Sequence, residues 1–118
     1  MKVIRKRRDF LAANKGRRAA TDAFVLLLHD RGDDSDMVRV GFTVTKKIGN
    51  AVTRNRLKRR LREAAHRALP TAVPAGHDVV LIGRSGGLTQ DFAKMTGDLS
   101  RAPGRATVDN RPRRGARK

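Results

Sequence analysis

Between Lys46 and Arg62 the sequence places eight cations, Lys46, Lys47, Arg54, Arg56, Lys58, Arg59, Arg60 and Arg62, and no acid before Glu63. The chemistry such a run can do is anion recognition. The planar fork of Arg matches two phosphate oxygens at once and stacks on bases, while Lys adds a compact point charge. At about 100° per residue on a helix, Lys58, Arg62, Asn55, Arg59, Glu63, Arg56 and Arg60 sweep round the faces opposite Leu57 and Leu61. Arg54 projects nearer the apolar stripe, so it either lies at the helix edge or snorkels outward.

A solvated helix face is the bland alternative, but such faces mix signs to gain i,i+4 pairs of about 0.2–0.5 kcal/mol each. Here Arg54/Lys58 and Lys58/Arg62 are like-charged at that spacing. Cations in a first turn also oppose the helix dipole by about 0.3–1 kcal/mol. A bound phosphate chain reverses both penalties.

The whole chain carries the same bias, with 28 Lys and Arg against 11 Asp and Glu and a formal charge of +17. A polyanion is the implied partner. Nucleic acid fits better than a membrane, because no apolar stretch approaches the roughly 20 residues needed to span a bilayer. Met1 to Arg8 has charges but no apolar segment behind them, so it does not read as a secretory signal, and a cytoplasmic location is expected.

Catalytic constellations are absent. The chain has no Cys, which excludes disulfides and thiolate metal sites. His29, His66 and His77 are scattered, and no Ser sits in a nucleophile-elbow context. Asp30, Asp33, Asp34 and Asp36 cluster, but their spacing misses the calcium-loop pattern, and a polar turn is the simpler reading. Gly83-Arg-Ser-Gly-Gly87 lacks the Lys-Ser/Thr ending of a nucleotide loop and reads as a loop exposing Arg84. Phe10, behind a basic arm, is open to two readings: core packing, or base stacking of about 1–3 kcal/mol.

The elements that must position these groups follow from period and punctuation. At 118 residues the chain supports one domain, read as a basic arm over 1–8, a folded unit over 9–101 and a disordered basic tail over 102–118. Asp9 is the expected cap of a short helix carrying Phe10, Leu11 and Ala13, stopped by Lys15-Gly16. Ala23 to His29 reads as a covered strand, with the residues before it as a shorter partner. Val38 to Thr45 alternates apolar and polar residues, which predicts a half-buried strand whose open face includes Thr43 and Thr45.

These two runs, joined by the polar turn Asp30 to Asp36, predict an antiparallel hairpin. Gly49-Asn50 reads as a turn with Asn50 or Thr53 as the next helix's cap, although Asn50 and Asn55 could also donate to RNA. That helix is predicted over Thr53 to Leu69, burying Leu57, Leu61, Ala64, Ala65, Ala68 and Leu69, with Pro70 ending it. Asp78 to Gly83 reads as a buried strand, and Thr89 to about Leu99 as a helix using Phe92, Met95 and Leu99. Strand, helix, strand suggests a crossover unit.

The run Arg39-Val-Gly-Phe-Thr-Val-Thr-Lys-Lys-Ile-Gly-Asn-Ala-Val-Thr-Arg-Asn-Arg-Leu-Lys-Arg-Arg-Leu-Arg-Glu63 closely resembles the signature of the protein component of bacterial ribonuclease P. Arg54-Asn55-Arg56 is the hallmark, and the resemblance extends from about Lys6 to Leu99. It implies an α+β fold, a two-layer α-β sandwich of αβββαβα order with a left-handed βαβ crossover (ribosomal-protein-S5-domain-2-like). It implies transfer RNA processing by a ribonucleoprotein endonuclease that removes the 5′ leader of precursor tRNA. The active site and its Mg²⁺ ions would lie in the catalytic RNA, leaving no catalytic residue or metal ligand in the protein.

By the same resemblance Lys46, Lys47, Asn50, Arg54, Asn55, Arg56, Lys58, Arg59 and Arg62 would dock on the catalytic RNA. Phe10, Thr43, Thr45 and Arg84 would hold the leader in a cleft between the first helix and the sheet. No membrane or DNA partner is implied. The sequence departs from the family where a second aromatic one turn after Phe10 is Asn14, where an often aromatic strand position is Leu27, and where Pro103-Gly104 replaces apolar residues.

A non-enzymatic ribosomal or chaperone-like RNA-binding protein fits charge and size equally well, and only the ordered signature separates the two. A nuclease acting alone would depend on Asp33, Asp34 or Asp36.

Overall fold

A computed structural model of the chain describes residues 1–108. One mixed sheet is built from β1 (Lys2–Val3), β2 (Arg17–Ala20), β3 (Phe24–Asp30), β4 (Arg39–Thr43) and β5 (His77–Gly83). Its helices are α1 (Arg7–Ala13), α2 (Ala51–Ala68) and α3 (Phe92–Val108). The strand order is β1-β4-β5-β3-β2. β5 lies between β3, to which it is antiparallel, and β4, to which it is parallel.

Alternation along the strands sends side chains to two faces. Phe24, Leu26, Leu28, Val79 and Leu81 join Leu57, Leu61, Ala64 and Ala65 of α2 and Met95, Leu99, Ala102 and Ala106 of α3 in the main core. The other face is smaller. There Leu27 and Val80 meet Ile4 and Ala13, with Phe10, Val25 and Ile82 packed at the margin. Short α1 therefore covers only part of that face, and the rest is left open.

Several boundaries and one pairing differ from expectation. The antiparallel hairpin between the runs at 23–29 and 38–45 does not form, because β5 is inserted between them. The short preceding strand does form, with β2 antiparallel to β3. The basic arm is partly structured: β1 pairs in parallel with β4, and Ile4 is buried. α1 begins at Arg7 with Lys6 at the cap position and no side-chain cap, so Asp9 lies inside the first turn.

The last helix runs past the boundary placed at 101. Ala102, Pro103 and Ala106 are buried against the core, and this burial outweighs the cost of a proline inside the helix. The remainder of the expected tail, 109–118, lies outside the described residues.

Candidate nucleic-acid interface

The basic segment folds as a short 3₁₀ turn, Lys46–Ile48, leading into α2. Asn50 caps α2, its side-chain oxygen accepting from the Thr53 backbone N–H at 2.9 Å. Gly49 has φ +152°, and a Cβ there would crowd Thr53 at 3.2 Å. Half-buried Ile48 anchors the turn to the main core, while Lys46, Lys47 and Asn50 stay exposed.

Along α2, Asn55, Arg56, Arg59 and Arg62 are exposed and Lys58 is half-buried. Arg62 also leans over the Phe42 ring, 6.0 Å from its centroid. Arg54 is half-buried with its Nε sealed from solvent and unpaired among the described residues, consistent with its projection beside the apolar stripe. Arg60 leaves the cationic face. Its Nε donates to the Gly87 carbonyl at 3.0 Å, its Nη2 donates to the Gln90 carbonyl, and the guanidinium stands 5.9 Å from the Phe92 ring centroid. The helical projection could not separate Arg60 from its neighbours, because the loop that receives it lies 27 residues away.

On the open sheet face a groove of about 560 Å³ runs between α1 and the strands, lined by Arg5, Arg7, Phe10, Leu11, Asn14, Thr43, Thr45, Val80 and Ile82. Register explains the floor, since Thr43 pairs with Ile82 and Gly41 with Val80. The Phe10 ring rests directly over Gly41, where a Cβ would come within 2.7 Å of Phe10 Cε1. Phe10, Thr43 and Thr45 are thus brought together as expected. Arg84 is not among the lining residues; it is exposed, and its Nη1 donates to the Thr21 carbonyl at 3.2 Å. Arg5 and Arg7, which sequence reading passed over as part of a loose arm, supply the groove's cations instead.

Leu27, at the often aromatic position, is fully buried in the smaller core and lies outside the groove lining, whereas Asn14 is in it.

On the same sheet face as the groove, further along β4 and β5, stands a network that sequence reading missed. Asp78 is 1% exposed and receives Arg39 Nε and Nη2 at 2.8 and 2.6 Å and Arg31 Nη1 at 2.9 Å. Burial pushes its carboxyl up, but the two guanidiniums outweigh burial and hold it below the usual carboxylate range. Arg39 also reaches Asp9 on α1 at 3.4 Å. The acidic turn is occupied with its own bonds: Asp30 accepts from the Gly32 N–H, and Asp33 accepts from Arg31 and from the Ser35 N–H. Among the described residues no three His, Asp or Glu side chains converge on a metal-sized site.

The family model described as Ribonuclease P matches residues 1–107. The chain belongs to the ribonuclease P protein family. It is 55% identical over 104 residues to the ribonuclease P protein component of Erythrobacter litoralis, spanning 88% of this chain and 84% of that one. The corresponding component of Gluconacetobacter diazotrophicus is 50% identical over 107 residues, 89% of this chain and 90% of that one. Solved structures agree. The RNase P protein of Staphylococcus aureus superposes with a TM-score of 0.73 at 30% identity, over 93% of this chain and 99% of that one. That of Thermotoga maritima gives 0.68 at 34%, over 84% and 92%.

As a ribonuclease P protein, the chain is the protein subunit of a ribonucleoprotein endoribonuclease, and an RNA is its partner. This decides against the ribosomal or chaperone-like alternative. No helix among the described residues is long and apolar enough to cross a membrane.

Proposed function

We propose that the turn Lys46-Lys47 and the exposed face of α2 dock on the catalytic RNA of ribonuclease P, while the groove beside α1 holds the 5′ leader of precursor tRNA. Lys46, Lys47, Asn50, Arg54, Asn55, Arg56, Lys58, Arg59 and Arg62 form the docking set. Phe10, Thr43 and Thr45 form the leader set, with Arg5 and Arg7 taking the cationic part assigned from sequence to Arg84. The Mg²⁺ ions and the bond-breaking chemistry belong to the RNA, and the holoenzyme works in the cytoplasm.

One observation carries this reading. Thr45, which lines the groove, is followed directly by Lys46, the first residue of the basic turn. The two surfaces are therefore continuous, so one end of a bound precursor can lie in the groove while its partner RNA sits on α2. Phosphates on both surfaces relieve the repulsion within a chain of charge +17.

Reconstitution with the cognate catalytic RNA and a precursor tRNA at low Mg²⁺ tests it. The protein should increase leader removal and should bind precursor more tightly than mature tRNA in the assembled enzyme. Equal affinity for the two would remove the leader site, and cleavage by the protein alone would overturn the assignment of chemistry to RNA.

A further inference from the structure

The docking face is not uniformly polar. Val52, in the first turn of α2, is 78% exposed, well above the other exposed large apolar residues, Met1, Val3, Leu11 and Met37. On a helix, residues at i, i+3, i+4 and i+7 share one face, so Val52 stands in line with Asn55, Arg56 and Arg59, all exposed. Its neighbours on the approach are the exposed Lys46, Lys47 and Asn50.

Val52 does nothing for the free protein that a smaller residue would not do better. A β-branched side chain is a poorer helix former than Ala, and this one buries little against the fold. Ile48, two residues before the cap, supplies the local anchor to the core instead. An apolar side chain held out among cations gains only when something covers it. The density of cations on the same stripe identifies that cover as a polyanion, and within a polyanion the apolar surface belongs to ribose and base.

We propose that Val52 is an apolar contact of the docking interface, packing on the ribose or base surface of a nucleotide in the catalytic RNA whose phosphates are held by Arg56 and Arg59. This rests on the docking reading given above and adds to it a contact that is independent of charge. Phosphate contacts make affinity fall with salt in proportion to the counterions released. An apolar contact releases none, so its contribution is the same at every salt concentration.

The experiment is equilibrium binding of full-length protein to the cognate catalytic RNA over a potassium chloride series, for wild type, Val52→Ala and Arg56→Ala. Thermal unfolding of each free protein is measured alongside. Val52→Ala is expected to weaken binding by about four- to fifteenfold, the loss for one to two methylenes of burial. Its salt slope should parallel wild type and its melting temperature should be unchanged or raised. Arg56→Ala should weaken binding and flatten the slope.

Affinity of Val52→Ala within twofold of wild type, with Arg56→Ala weakened, would overturn the apolar contact and leave the docking reading intact. A lowered melting temperature or an altered salt slope for Val52→Ala would also overturn it, by showing a structural or electrostatic role. If neither variant loses affinity, the docking reading itself fails and the contact with it.

Discussion

Arg39 and Asp78 face each other in register across the parallel β4–β5 pair, joined by two hydrogen bonds, Nε to Oδ1 at 2.8 Å and Nη2 to Oδ2 at 2.6 Å. The same guanidinium reaches Asp9, so the first turn of α1 is tied to the central strand. Asp78→Asn leaves the largely covered Arg31 and the half-buried Arg39 guanidiniums facing a neutral group. It is expected to cost about 3–5 kcal/mol, the range for breaking a buried pair from one side, measured as the shift in urea unfolding.

The sign of the pH effect follows from the depressed carboxyl. The Asp78 acid binds its proton more weakly folded than unfolded. Its contribution is therefore complete above the unfolded value, about 3.9, and is lost as pH falls through the lower folded value. The stability gap between wild type and Asp78→Asn should hold steady from about pH 7 to 5 and narrow below about 4. A gap unchanged in acid would argue that shape, not charge, holds the network.

Arg59 and Arg60 are adjacent but have opposite fates. Arg59→Ala should weaken catalytic-RNA binding and reduce the salt slope by roughly one counterion for each lost phosphate contact, with little change in unfolding. Arg60→Ala removes the donors to Gly87 and Gln90. It should destabilise the fold by about 1–3 kcal/mol and leave the salt slope alone. Matching slopes for both variants would refute the distinction.

Phe10→Ala should weaken precursor binding in the holoenzyme while sparing mature tRNA, because only the precursor has a leader to stack. Equal losses for both ligands would make Phe10 a core residue.

Gly41→Ala tests the floor beneath that ring. A Cβ would lie 2.7 Å from Phe10 Cε1 and 3.2 Å from Ile4 Cβ, so the ring must shift. A stability loss of about 1–3 kcal/mol is expected from overpacking, together with a precursor-specific loss of affinity. Wild-type discrimination between precursor and mature tRNA would show that the ring's position does not matter.

Local signals reached far in this chain, and topology did not follow from them. α2 was legible because Leu57, Leu61, Ala64 and Ala68 keep helical spacing, and β4 because Val40 and Phe42 alternate with Gly41 and Thr43. The pairing of β3 with β5 was not. Both Ala23 to His29 and Val79 to Ile82 are continuous apolar runs, and nothing within either says which neighbour it takes. The end expected for α3 near Leu99 falls short because the Pro, Gly and Arg that follow Arg101 read as tail, whereas tertiary burial of Ala102 and Ala106 carries the helix on to Val108.

The groove divides in the same way. The alternation of β4 put Thr43 and Thr45 on its open side, and Phe10 joined them through the family resemblance. Arg5 and Arg7 became visible only once β1 had fixed the entry to α1, and Arg84 was lost to Thr21. The Asp78 network depends on side chains drawn from four separate segments, which no spacing rule connects.

The central strand is also a late one. β5 joins the β2–β3 pair to the β1–β4 pair, and it comes after α2 in the chain. During synthesis the two pairs emerge with no strand to join them, each presenting an unpaired edge of the kind that invites mispairing. Contacts between distant segments form slowly. Closure of the sheet therefore waits until Val79 to Ile82 leave the ribosome.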